Sequence, residues 1–142
     1  MEIVPVSKNN IHLLKAFIDN MGDASGSFRY YNSRTIESIN NHLTTLLLIE
    51  KKQPVAYGHL DMENEIVWLG ICVQPNSYRK GYGNIMMREL INFAKKSNVS
   101  KIYLTVDKDN NNAINLYEKF YFYKENEFGN SYKYSLDLSP GA

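Results

Sequence analysis

VQPNSYRKGYGN, residues 73–84, lies where one pattern of hydrophobicity gives way to another. The residues before it, EIVWLGICVQ (65–74), are apolar on both faces in their second half, as a strand in the middle of a sheet requires. After it, Met86, Met87, Leu90, Ile91 and Ala94 recur at helical spacing over 83–97. KIYLTVD (101–107) then reads as another strand. A strand, a helix and a strand in such short order predict a right-handed crossover between parallel neighbours. The loop therefore leaves a buried parallel strand and enters a helix, which is where open α/β sheets place ligands.

Working outward, residues 2–6 predict a short strand, with Pro5 favouring a sheet edge. Ser7 is a candidate N-cap for a helix with Ile11, Leu14, Phe17 and Ile18 on one face. Residues 22–32 break the pattern, and Ser33 opens a second short helix through about His42. Strands at 43–50 and 54–63 flank a turn at Lys51–Gln53. A helix over 110–120 and a hairpin of strands at 121–127 and 131–138 complete the chain. The order predicts an α/β (α+β) fold, a mixed, mostly antiparallel sheet of about seven strands with helices on both faces, in one domain over residues 1–142. Gly70 inside the central strand marks a bulge, a close approach of backbone, or a glycine packed beneath a bulky neighbour.

Bulk properties narrow the function. A formal net charge of +1 gives no general attraction to nucleic acid or anionic lipid, so any anion site must be local. There is no RNP-like run, and nucleic acid is not an expected partner. No apolar stretch approaches the ~20 residues that span a bilayer, and the first ten residues do not read as a signal peptide. Cys72 is the sole cysteine, which excludes an internal disulfide and suggests a reducing, cytoplasmic setting. Only His12, His42 and His59 accompany it, none at ligand spacing, so no metal is expected.

In the loop itself, the first N–H groups of the following helix have no intrahelical acceptor and carry the positive end of its dipole. Gly81 and Gly83 would let backbone approach a phosphate, and Arg79 and Lys80 add charge beside Tyr82. A phosphate-bearing cofactor and a plain strand-to-helix turn both fit. The Walker pattern is absent, and so is the third glycine of the dinucleotide fingerprint.

A second stretch, NNNAINLYEKFYF (110–122), decides between them. Val73, Pro75, Gly81 and Gly83 in the first stretch, with Asn110, Ala113, Leu116, Tyr117, Lys119 and Phe122 in the second, resemble the two signature motifs of the GNAT superfamily of acetyl-CoA-dependent N-acetyltransferases. One helix and one strand separate them, and the element order covers essentially the whole chain. Two departures stand out: Tyr78 occupies the family's Arg or Gln position, and Tyr121 its Gly.

The resemblance implies acetyl-CoA as co-substrate and direct attack of an amine on the thioester. It implies a strand splayed from its parallel neighbour, with backbone of Ile71 and Val73 holding the pantetheine arm and acetyl oxygen. Tyr117 would serve the departing thiolate, while Asn110 and Lys119 would touch the coenzyme; capping by Asn110 and solvation of Lys119 fit equally. For a base, Glu65, His59 (on one strand face with Asp61) and a water relay stand open. SFRYYNSR (27–34) lies where the family contacts its acceptor, and Phe28, Arg29, Tyr30 and Tyr31 suit an amino sugar or another anionic small amine, or simply cover the core. The expected activity is N-acetylation of a small molecule, by a monomer or homodimer. A protein N-terminal or lysine acetyltransferase and a non-catalytic coenzyme-binding sensor are the alternatives.

Overall fold

The structure is a computed structural model that describes residues 1–20, 42–74 and 80–138. Seven strands form one sheet in the order β1-β2-β3-β4-β5-β7-β6. They are β1 (Glu2–Pro5), β2 (His42–Glu50), β3 (Gln53–Glu63), β4 (Ile66–Val73), β5 (Lys101–Asp107), β6 (Tyr123–Phe128) and β7 (Ser131–Asp137). The helices are α1 (Ile11–Asp19), α2 (Tyr82–Lys96) and α3 (Asn111–Lys119). Only β4 and β5 pair in parallel; every other neighbour is antiparallel.

Local chemistry accounts for the elements. Pro5 sits on edge strand β1, where its missing N–H costs least. Ser7 caps a 3-10 turn ahead of α1: its Oγ accepts from Asn9 N (3.3 Å), while Ser7 N donates to Asn10 Oδ1 (2.7 Å). Hairpin β2–β3 turns at Lys51 and Lys52, and β3–β4 at Asn64 and Glu65, all four with positive φ. Such two-residue turns match the right-handed twist of the strands they join.

The sheet has two covered faces. On one, α2 lays Met86, Met87, Leu90 and Ala94 over Leu46, Leu48, Leu60, Leu69 and Leu104. On the other, Leu14 and Phe17 of α1 pack on Leu47, Ile49 and Tyr57. Residues 33–41 of the expected second helix lie outside the described residues. His42, placed at its end, instead begins β2, where its Nδ1 bonds Thr45 Oγ1 at 2.8 Å. The final hairpin also starts later than expected, because Tyr121 belongs to the end of α3.

Candidate active site

The site originates in an incomplete ladder. β4 and β5 share two rungs, Val67↔Ile102 and Trp68↔Tyr103. Beyond them each strand stays paired on its outer side, β4 to β3 through Val73 and β5 to β7 through Asp107. The two strands therefore part after Trp68 and Tyr103, leaving backbone of both facing a gap.

A cavity of about 590 Å³ occupies the open end. Ile71, Cys72 and Val73 of β4 form one wall, Gly81, Tyr82, Gly83 and Asn84 at the start of α2 another, and Asn110, Asn112, Asn115, Leu116 and Lys119 of α3 a third. The two stretches singled out in the sequence thus meet across one space. Asn112, Asn115 and Lys119, separated by three and four, share a helix face. That spacing is readable in the sequence, where Asn112 and Asn115 carry no motif signal of their own beside Lys119.

Gly81 caps α2 with φ +81°, a left-handed conformation, and a Cβ there would meet nothing within 4 Å. Gly81 thus turns the chain into α2, whose first residues line the cavity. Gly83 also lines the cavity and has a packing reason besides: its Cβ would lie 3.1 Å from Leu116 Cδ2, so its smallness lets α2 and α3 close together. Lys80 is exposed. Arg79 and Tyr78 lie outside the described residues, as do Phe28, Arg29, Tyr30 and Tyr31. Asp107 and Asp109 also line the cavity beside Lys119, so side-chain charge alone does not select an anion there.

Asn110 performs the capping expected of it, its Oδ1 accepting from Ala113 N at 3.3 Å, and also lines the cavity. Tyr117 is nearly buried, 5 % exposed, with its ring 5.9 Å from Phe122. It lies beside the lining residue Leu116 and is not itself among the lining residues. The helix end that holds it closes as a Schellman motif: Phe122 N donates to Tyr117 O and Tyr121 N to Glu118 O. The Tyr117–Phe122 contact is the apolar clasp that accompanies this closure. Tyr134 fastens the same turn by donating to Glu118 Oε2 at 2.6 Å.

This closure explains Tyr121. It takes φ +73° and is 84 % exposed, so the left-handed turn that a glycine would make is kept by a tyrosine at a steric cost. Tyr121→Gly should raise stability by about 1 kcal/mol, read from denaturant unfolding. A loss of stability would mean that the exposed ring contributes more than the strain removes.

His59 is fully buried, its Nδ1 2.7 Å from Tyr57 Oη and its ring stacked on His42 at 4.4 Å between centroids. Gly70 carries no register shift; it is a glycine because a Cβ there would lie 2.4 Å from His59 Cε1. Of the three roles open to Gly70, packing beneath a bulky neighbour is the one observed. Burial, and then the neighbouring His42, hold the His59 imidazolium well below its ordinary pKa. Burial likewise lowers His42, against the opposing charge of Asp61.

Below about pH 6.5 an unfolded His59 binds a proton that the folded one refuses, so stability falls on acidification, by up to about 1.4 kcal/mol per pH unit for this one group. Melting at pH 5.5 should therefore lie below melting at pH 7.5, and His59→Gln should flatten that difference. An unchanged difference in the variant would remove His59 as its source.

Glu65 is not brought to the site. It is an exposed turn residue at the N-terminal end of β4, six residues and roughly 20 Å along the strand from Ile71. The strands separate at the other end. Cys72 lines the cavity, but burial pushes its thiol up to about 12, so it stays protonated and is a poor nucleophile.

A strand pair that opens onto the N-terminus of α2, with the Asn110–Phe122 motif opposite, agrees with comparison to known proteins. A family model described as Acetyltransferase (GNAT) family matches residues 12–122. The chain belongs to the GNAT acetyltransferase family. It is accordingly an acyl-transferring enzyme, and solved GNAT structures share its architecture. The ribosomal-protein-S18-alanine N-acetyltransferase from Escherichia coli superposes with a TM-score of 0.79 at 21% identity, covering 99% of this chain and 96% of that one. The PaiA N-acetyltransferase from Thermoplasma acidophilum, in complex with coenzyme A, gives 0.77 at 18%, covering 96% and 98%. The Salmonella typhimurium protein YncA with its cofactor acetyl-CoA gives 0.78 at 15%, covering 99% and 95%. No curated protein matches the chain by sequence. Among the described residues of this GNAT chain there is no cluster of metal-ligating side chains, and no helix long and apolar enough to cross a membrane.

Proposed function

We propose that this GNAT enzyme transfers acetyl from acetyl-CoA to the primary amine of a small molecule by direct attack on the thioester. The observation that carries the reading is the β4–β5 ladder that stops at Trp68↔Tyr103 and opens onto the cavity between α2 and α3. Backbone of Ile71 and Val73 is available to an extended pantetheine arm and to the oxyanion that forms on the acetyl carbonyl. The first amides of α2, following the left-handed turn at Gly81, would hold the pyrophosphate, with Asn110 and Lys119 on the opposite wall. Tyr117 would donate its phenolic proton to the departing thiolate.

His59 of β3, held neutral beneath Gly70 of β4, would take the amine proton through water; Glu65 is too remote. A protonated Cys72 favours direct transfer over an acetylated-cysteine intermediate. The test is incubation with acetyl-CoA and separate panels of amines, amino sugars, amino-sugar nucleotides and peptides, with products identified by mass. Acetylation confined to small amines supports the reading. Acetylation of peptide N-termini or lysines alone assigns the enzyme to protein substrates, and coenzyme binding without any transfer makes it a sensor.

A further inference from the structure

We infer that Lys133, stacked on Trp68 and Tyr103, is a subsite for an anionic group of the acceptor, so that the preferred amine carries a carboxylate or phosphate. The inference rests on the acetyl-transfer reading and adds the acceptor's chemical class to it.

Register places these residues on the face opposite α2. Trp68 pairs with Asp61 and Gly70 with His59 across β3–β4, so all four project to the His59 side. Tyr103 is the parallel partner of Trp68, their rings 5.6 Å apart. These two rings are the last rung before the strands part. Lys133 stands opposite Thr105 on β7, and its Nζ lies 4.6 Å from the Tyr103 ring centre and 5.7 Å from that of Trp68. Trp68, Tyr103 and Lys133 are each partly exposed.

The second lysine on this face shows what Lys133 lacks. Lys101 Nζ is 3.0 Å from Glu125 Oε1 and 3.9 Å from Asp137 Oδ1, and Glu125 above all makes its proton harder to lose. Among the described residues, Lys133 has no carboxylate within ion-pair distance. Two aromatic faces hold its ammonium in place, and they satisfy its charge only weakly. An ammonium has three N–H donors, and those not directed at the rings remain for a ligand. The rings also offer a flat apolar wall to the body of that ligand.

Spacing restricts the acceptor further. Neighbouring strands lie about 4.8 Å apart, so β4 and β7, separated by β5, stand at least roughly 10 Å apart. An amine poised over β4 near Ile71 and an anion at Lys133 must therefore be several bonds apart. An α-amino acid, with both groups on one carbon, does not span the distance. A phosphorylated or acid-bearing amino sugar or an ω-amino acid does.

The experiment uses matched primary amines with a terminal carboxylate, a terminal phosphate, or the neutral methylamide, and an acidic peptide. Each is assayed with wild type, Lys133→Gln, Lys133→Arg and Lys133→Glu. Wild type should acetylate the anionic small amines at least about tenfold more efficiently than the methylamide. Lys133→Gln should erase most of that preference through acceptor KM, with kcat, coenzyme KM, activity on the methylamide and melting temperature unchanged. Lys133→Arg should retain the preference and Lys133→Glu reverse it.

Equal discrimination by wild type and Lys133→Gln would overturn the subsite while leaving the acetyltransferase reading intact. A superior acidic peptide would overturn the small-molecule acceptor. Coenzyme binding with no amine acetylated would remove the acetyl-transfer reading and this inference with it.

Discussion

Gly81→Asp should lose coenzyme binding by at least about tenfold, whereas Gly81→Asn should lose much less. Gly81 has φ +81° and open space where a Cβ would project. Asn and Asp are the non-glycine residues that best tolerate this conformation, so the pair shares backbone strain and nearly shares volume. They differ by one negative charge at the mouth of α2. If the first amides of that helix hold the pyrophosphate, a carboxylate there competes for the same donors and repels the ligand. Calorimetric titration of coenzyme A into each variant separates the terms. Equal losses would assign the effect to backbone alone, and no loss in either would remove the pyrophosphate from this helix end.

Tyr117→Phe should lower kcat by about two orders of magnitude or more, in the range for loss of a general acid, while coenzyme affinity changes little. The ring of Tyr117 clasps Phe122 and closes α3, and phenylalanine keeps that contact. Only the hydroxyl is lost, so stability should move far less than turnover. Tyr117→Ala is the contrast: it removes the clasp as well and should destabilise the fold by about 3 kcal/mol or more. If Tyr117→Phe turns over as fast as wild type, the residue is a structural clasp alone, and the thiolate is protonated by another group or by water.

Much of this was legible in local sequence. The strand at 101–107 is found at those limits, and α2 runs over Tyr82–Lys96 against an expected 83–97, because alternating and helical periodicities report burial directly. The pair of motifs located the cavity for the same reason: the turn at Gly81 and the cap at Asn110 are made by neighbours in sequence.

What was misread depends on pairing. Glu65 lies in the turn just before β4, but sequence does not tell which end of a strand parts from its neighbour; the ladder with β5 decides that. Gly70 was open between bulge, close approach and packing, until the Asn64–Glu65 turn set the register. With Glu63 opposite Ile66, His59 must face Gly70 and Asp61 must face Trp68. A turn placed at Asn64 would have predicted both contacts. The stack of Lys133 on Trp68 and Tyr103 joins three strands, two of them brought together by the parallel crossover, and no local window contains it. Gly83 is a third case: the glycine is plain in the sequence, but its neighbour Leu116 lies on another helix.

Amide hydrogen exchange, residue by residue, with and without acetyl-CoA, decides whether the coenzyme lies between β4 and β5. If the gap between β4 and β5 is the coenzyme slot, exchange should slow at Ile71 and Val73 and at the first turn of α2, Tyr82–Asn84. The paired rung at Val67 and Ile102 should be unchanged, since its ladder is already closed. Protection confined to other strands, or none at saturating acetyl-CoA, would contradict the account.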